Sequence, residues 1–271
     1  MIAITDIRKE LAGKYKNPLL PVIPQRALTD LNGVVIHCTD DPDSEKGDDV
    51  YGVARYHTES PNHISPNGCP SIAYSYYIEH DKNGQTVCWK CLGDTDIGWH
   101  AGDVIYHKKS WNKHFLGIVI DYKSDQQLPE DKEKVASAIV ALKCIQFGWN
   151  PDNAVLFHRD VVGSGCYFID DKGHVAPSGK KVYRKSCPGW NLDHTFFVSN
   201  VRRDILTLAQ ETGLVDTLWK GMPTKPEDIW SEQSRNAIKI FQSSNYLEVN
   251  GILDEPTIAK LNLYFNLKFT V

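Results

Sequence analysis

The chain has 271 residues, 41% hydrophobic and 24% charged, which fits a globular protein with sequence for one full domain and a smaller second one. A formal net charge of −4 argues against a nucleic-acid binder that works through a broad basic surface. No apolar run approaches the roughly 20 residues needed to span a bilayer, so no membrane insertion is expected.

The opening stretch MIAITDIRKELAGKYKN is charged throughout and lacks the apolar centre of a secretory signal, which predicts synthesis in the cytosol. Without an export signal, the seven cysteines (Cys38, Cys69, Cys88, Cys91, Cys144, Cys166 and Cys187) are read as reduced thiols. Thr5 to Tyr15 reads as a short amphipathic helix, followed by a lead-in containing Pro18, Pro21 and Pro24. GVVIH, from Gly33 to His37, reads as a buried strand. It ends on a histidine and passes straight into a polar loop, expected to be groove wall. Asp48 to His57 reads as a helix, and Pro61 to Pro70 as a loop by its Pro, Asn and Gly content. SIAYSYYIEHDKNGQTVCWK alternates aromatic and small residues and turns at Lys82-Asn83-Gly84, the pattern of a β-hairpin.

IGWHAG, from Ile97 to Gly102, is a Gly-bounded loop, and FLGIVIDY, from Phe115 to Tyr122, is another buried strand. Val135, Ile139 and Leu142 recur at helical spacing within Glu130 to Phe147. NAVLFHRD is a third short apolar strand, and it too ends on a histidine, His158. A long polar excursion reaches CPGW at Cys187, and Phe196 to Thr212 reads as a closing helix. Strands alternating with helices predict an α/β domain over about 18–211. Beyond Gly213 come a helix from Trp230 to Phe241, the turn NYLEVNG, and a Pro-started helix from Pro256 to Leu263. This makes a small helical domain of about 55 to 60 residues, near the lower limit for independent folding.

The two strands ending VIH and LFH are the sharpest feature. A strand terminus projects a side chain into the open cleft at the edge of a sheet, where ligand sites collect in α/β folds. His37 and His158 with one thiolate would make a three-ligand zinc site with an open fourth position, the layout of catalytic zinc. Cys187, in KSCPG, is the candidate third ligand. Two neutral imidazoles and a thiolate would leave the site a formal charge of +1, and a water there would lose a proton near neutral pH. The C-x-x-C of Cys88 and Cys91 lies in a strand pattern without a partner pair and is read as structural. Cys38 is expected to point away from His37, into the core.

VVIHCT, AYSYYIEHDKNG, IGWHAG, WNKHFLGIVID, LFHRD and KSCPG together resemble the type 2 family of zinc-dependent N-acetylmuramoyl-L-alanine amidases, in the family's own order. That family includes amidase-type phage lysozymes and the peptidoglycan-recognition proteins. The resemblance covers about residues 25–205. It implies an α/β fold, with a central mixed β-sheet flanked by helices. It also implies Zn²⁺ held by His37, His158 and Cys187, a catalytic lysine at Lys185, and an accompanying tyrosine at Tyr74. Some relatives carry a catalytic Glu after the Gly-Ile of the third strand. Here Val119 stands in its place and Asp121 follows two residues on. Proton transfer then falls to Tyr74, the water at the zinc and a substrate group. His100, flanked by Trp99 and Gly102, is expected to line the substrate cleft rather than bind metal, with Trp99 packing on sugar or peptide.

SRNAIKIFQSSNYLEVNGILDEPTIAKL is similar to the three-helix peptidoglycan-binding domain, over about 214–265. Ala237, Ile238, Phe241, Val249, Ile252 and Leu261 are its expected core. Gly251 is its expected turn position, and Trp219 and Tyr246 are candidate wall contacts. The sequence thus predicts a lead-in at 1–24, an amidase domain at 25–205 and a wall-binding domain at 214–265. It predicts a monomeric phage endolysin acting on bacterial peptidoglycan. A recognition protein that does no chemistry, and a zinc peptidase cutting the stem peptide, stay open as alternatives. A zinc nucleobase deaminase does not, because the chain lacks the Pro-Cys-x-x-Cys motif it needs.

Overall fold

The computed structural model describes residues 3–40, 49–62, 64–102, 110–176, 178–220, 222 and 224–265. The polar loop expected after His37 lies largely outside them. The chain divides into two compact units. One comprises residues 3–136 and 156–193; the other comprises 1–2, 137–155 and 194–271.

The first unit opens with a strand, β1 (Ile4–Asp6), and a helix, α1 (Arg8–Lys14). The predicted helix from Thr5 is therefore shorter than its periodicity suggests. Ile4 to Asp6 instead pair in parallel with the hairpin's outer strand, Ile4 opposite Cys88. An open strand edge satisfies those backbone groups as well as a helical turn would. Next come β2 (Gly33–Cys38), α2 (Asp49–Thr58), β3 (Tyr76–His80), β4 (Thr86–Lys90), the short α3 (Trp111–His114) and β5 (Phe115–Ile120). β6 (Val155–Phe157) completes a six-stranded sheet of order β1-β4-β3-β5-β2-β6; most of α4 (Glu130–Phe147) and all of α5 (Pro151–Ala154) belong to the other unit. The sheet is mixed: β3 runs parallel to β5 and antiparallel to β4, while β2 runs parallel to β5. Every residue of β2 and β5 is buried, as expected for near-continuous apolar runs in a parallel centre covered on both faces.

The hairpin turn forms where the sequence places it. Gly84 takes φ +75°, and the Asp81 carboxylate accepts the backbone N–H groups of Asn83 and Gln85. The polar excursion holds more structure than its composition suggests. A second sheet, of order β8-β7-β9, is made by β7 (Cys166–Ile169), β8 (Val175–Ala176) and β9 (Lys180–Tyr183). Its residues are mostly half-exposed, so no apolar alternation marks them.

In the second unit, α6 (His194–Glu211) buries Phe197, Val198, Val201, Ile205 and Leu208, a stripe at helical spacing. Arg202 pairs with both Asp152 and Glu227. Two further helices follow, α7 (Glu232–Ser244) and α8 (Glu255–Phe265), preceded by a single 3₁₀ turn at Pro226–Asp228. Ser231 caps α7 by accepting the Ser234 N–H. Ile238, Ile252 and Leu261 are buried as expected, but Val249 is 53% exposed. The interior is closed instead by Gln242, whose side-chain amide donates to the Ile252 carbonyl and accepts from the N–H groups of Asn250 and Gly251. Gly251 takes the expected positive φ. Trp219 is buried and so is not a surface contact, whereas Tyr246 is fully exposed. No helix among the described residues is long and apolar enough to cross a membrane.

Candidate metal centre and its cleft

His37 is the penultimate residue of β2, and its neighbours Ile36 and Val35 are fully buried, so the ring is held by a rigid strand. His158 follows β6 directly, as the first residue of a 3₁₀ turn. Cys187 lies in the loop after β9. It is fixed there by the Arg159 N–H, which donates to its carbonyl at 2.7 Å, and by the Cys38 N–H, 3.3 Å from its sulfur. Tyr122 donates its hydroxyl to the next carbonyl, that of Pro188. One nitrogen of each ring and the sulfur fall within 4.8 Å of one another. Sequence positions 37, 158 and 187 thus converge on one point.

Hydrogen bonding sets the tautomers. The Phe115 carbonyl, 3.1 Å from His100 Nε2, can only accept, so that nitrogen carries the proton. His100 is buried, which pushes its pKa well below the usual value and keeps the ring neutral. Its Nδ1 is then an acceptor. His37 Nε2, 3.0 Å away, must be the donor. That leaves His37 Nδ1 with a free lone pair, and it faces the Cys187 sulfur at 3.9 Å. His158 Nε2 lies 2.8 Å from Ser164 Oγ. A metal-ligating imidazole whose other nitrogen is held by a hydrogen bond is the usual arrangement in metalloproteins.

Electrostatics favour the same states. Burial lowers the His37 pKa to about 4, with the charges of His158 and Lys185 adding to the effect, so the ring is neutral at pH 7. The Cys187 thiol is pushed well below its ordinary value, chiefly by a hydrogen bond from Cys38 and, against burial, by His158 and His37. Cys38 is therefore buried but not turned away from the site. The segment carrying Cys187 crosses the end of β2, and the thiol of the last strand residue meets it. The neutral His37 ring, the His158 ring and the Cys187 sulfur, its thiol pKa lowered, match the nitrogen and sulfur donor set that Zn²⁺ prefers.

The three donors open into a cleft of about 750 Å³ whose walls also carry Tyr56, His57, Tyr74, Trp99, His100 and Lys185. Tyr74 sits two residues before β3, its ring 5.2 Å from that of His37 and 5.5 Å from that of His57. Burial raises the Tyr74 pKa, so it is a neutral hydroxyl at pH 7. Lys185 is exposed at the rim and Trp99 is half-buried. Val119 is paired with His37 across β2 and β5 and is wholly buried. His57 and Ser164 are cleft residues that sequence reading missed. The Ala73 N–H donates to His57 Nδ1, which fixes that ring beside Tyr74. Gly165 is a further clue: a Cβ there would lie 1.7 Å from the His158 carbonyl, so only glycine lets Ser164 reach the His158 ring.

Comparison with known proteins gives the following matches. The family profile described as N-acetylmuramoyl-L-alanine amidase covers residues 27–190, and a peptidoglycan binding domain profile covers residues 214–261. Among solved structures, the endolysin amidase LysCS from Clostridium intestinale URNW is 14% identical at a TM-score of 0.46, over 74% of this chain and 96% of its own. Drosophila PGRP-LB is 16% identical at a TM-score of 0.46, over 71% of this chain and 91% of its own. The catalytic domain of XlyA is 16% identical at 0.43, over 74% of this chain and 99% of its own. No curated protein sequence matches the chain.

Proposed function

The chain belongs to the N-acetylmuramoyl-L-alanine amidase family, and on that footing we propose that it hydrolyses the amide between the lactyl group of N-acetylmuramic acid and L-alanine in peptidoglycan. The observation that carries the reading is the convergence of His37, His158 and Cys187 at the floor of an open cleft. A protein that only recognised peptidoglycan would need the groove but not two imidazoles and a thiol gathered within 4.8 Å of one another. The C-terminal segment would hold the enzyme on the wall, which supports an endolysin role.

His37, His158 and Cys187 would hold Zn²⁺. The chemistry the ion supplies at such a site is Lewis acidity toward a water and a carbonyl oxygen. The His100 bond keeps the His37 ring in its ligating tautomer. Lys185 brings positive charge to the rim, where the tetrahedral oxyanion develops. Tyr74, a neutral hydroxyl, is a hydrogen-bond donor to the departing nitrogen. Water adds to the carbonyl carbon, the C–N bond breaks, and the released nitrogen takes a proton to leave as the alanine amine. Val119 offers no carboxylate for that transfer, so it is assigned to Tyr74 and the attacking water.

The test is mass spectrometry of soluble products from purified peptidoglycan, with and without a metal chelator. Stem peptides with new L-alanine amino termini, lost with chelator, are expected. Cleaved peptides with alanine still on the sugar would mean a peptidase. Binding without products would mean a recognition protein.

A further inference from the structure

Beside the candidate metal centre, outside the cleft, stands an aromatic corner that the chemistry above does not use. Trp190, three residues after Cys187, is 57% exposed, although tryptophan is usually highly buried. Tyr183, the last residue of β9, is 43% exposed and meets it at a right angle, ring centroids 4.9 Å apart. The corner is held in place. The Arg159 guanidinium lies between the Phe157 ring, at 4.8 Å, and the Trp190 ring, at 5.0 Å. That guanidinium is buried and donates to the carbonyls of Gly189 and Leu192 on either side of Trp190. Lys181 caps the Tyr183 ring at 4.7 Å.

Two large rings, rigidly supported and open to water, cost apolar exposure that a core would avoid. Their shape suits a pyranose. The C–H face of a sugar is apolar and stacks on an aromatic face, while its hydroxyls stay in water, which matches rings that are half open rather than buried. The corner and the metal centre share Arg159, whose side chain backs Trp190 and whose backbone N–H holds the Cys187 carbonyl. Three residues of chain reach at most about 11 Å, so Trp190 stands within reach of the sugar chain attached to an amide at the metal position.

We propose that Trp190 and Tyr183 form a glycan subsite that stacks a sugar of the polymer strand next to the one whose amide is cut. The proposal rests on the amidase reading for its choice of ligand. It makes the two rings specificity residues that favour long glycan over isolated muramoyl peptides.

The experiment compares kcat/KM of the full chain for two soluble substrates carrying the same stem peptide, one on a peptidoglycan tetrasaccharide and one on a single N-acetylmuramoyl residue. The wild type should favour the tetrasaccharide. Trp190→Leu should cut that preference about tenfold, the size of loss typical when a large aromatic contact is truncated, and Trp190→Phe should restore much of it. Tyr183→Leu, at an exposed strand end, carries the same test should Trp190→Leu fail to fold. Equal preference in wild type and variants, or none in the wild type, overturns the subsite while leaving the amidase reading intact. Should the wild type cleave neither substrate, the amidase reading fails, and binding of the peptide-free tetrasaccharide decides the subsite. Binding lost in Trp190→Leu supports it, and absence of binding to the wild type refutes it.

Discussion

Gly117 and His100 share one space: a Cβ on Gly117 would lie 2.7 Å from the imidazole of His100. Gly117 is in the middle of β5, where glycine weakens a strand and marks a close approach. The ring that fills the gap is the one that fixes His37. A backbone choice in β5 is therefore tied to the tautomer of a candidate ligand on the adjacent strand, β2.

Gly117→Ala should push the His100 ring off His37 and weaken zinc binding without removing any ligand. His100→Ala should do the same more directly. Loss of such an outer hydrogen-bond partner typically costs 10- to 100-fold in metal affinity. Competition against a chromophoric chelator reads this without any substrate. Zinc affinity unchanged in both variants would dismiss the role given to His100.

His37→Ala, His158→Ala and Cys187→Ala should each lose zinc and hydrolysis together. Lys185→Ala should keep zinc, measured by metal analysis of the purified protein, and lose about 10²–10³ in kcat, as for removal of a group that stabilises an oxyanion. Hydrolysis retained in any of the three ligand variants would sink the assignment.

Glu79 predicts a pH dependence of stability. It is fully buried in β3, where its carboxylate accepts from the Trp89 indole and the Asp49 N–H. Burial nevertheless raises its pKa from the ordinary 4.5 to about 7, with Asp49 and Asp121 adding to the rise. Between those values the folded protein keeps a proton that the unfolded chain has released. Stability from this group is full below pH 4.5 and falls as pH rises through about 7, by roughly 3 kcal/mol in all. Denaturant midpoints from pH 5 to 8 should show the fall, and Glu79→Gln should flatten it. A wild-type profile no steeper than that of the variant would contradict the prediction.

Gln242 should be the most sensitive polar residue of the C-terminal segment. Its buried amide serves the backbone of Asn250, Gly251 and Ile252 and the Thr257 hydroxyl at once. Gln242→Ala leaves several of these groups unpaired and should cost roughly 2–4 kcal/mol. Hydrogen exchange at the Gly251 and Ile252 amides should speed up accordingly, with the β2 and β5 amides unaffected.

The central strands and the two histidines that end them were legible from local pattern, and Cys187 from the family resemblance; the structure brings the three side chains together. GVVIH and FLGIVI are apolar enough to be central strands; one histidine closing a strand is more often structural, and it was two such strand ends that pointed to a site. α4 was readable to its last residue from periodicity alone. The second sheet was not, because β7, β8 and β9 are short and mostly half-exposed, and β9 opens on two lysines, so no apolar alternation shows. The supporting residues were also hidden. His57, Ser164 and the bond from His37 to His100 depend on which loops meet across long sequence gaps, and no local pattern encodes that. Gly117 was the one visible hint, and it signalled only that something comes close.

Each histidine of the trio is followed by a residue whose backbone N–H holds the cysteine: Cys38 reaches the sulfur and Arg159 reaches the carbonyl. The two dipeptides act as a pair of jaws that close on Cys187 by peptide hydrogen bonds alone. Those bonds are made within the chain and need no ion. Metal uptake should then resemble loading of a rigid macrocycle, quick and reversible, rather than the folding-coupled capture typical of zinc fingers. A protein stripped by chelator and resupplied with Zn²⁺ should recover without passing through an unfolded state.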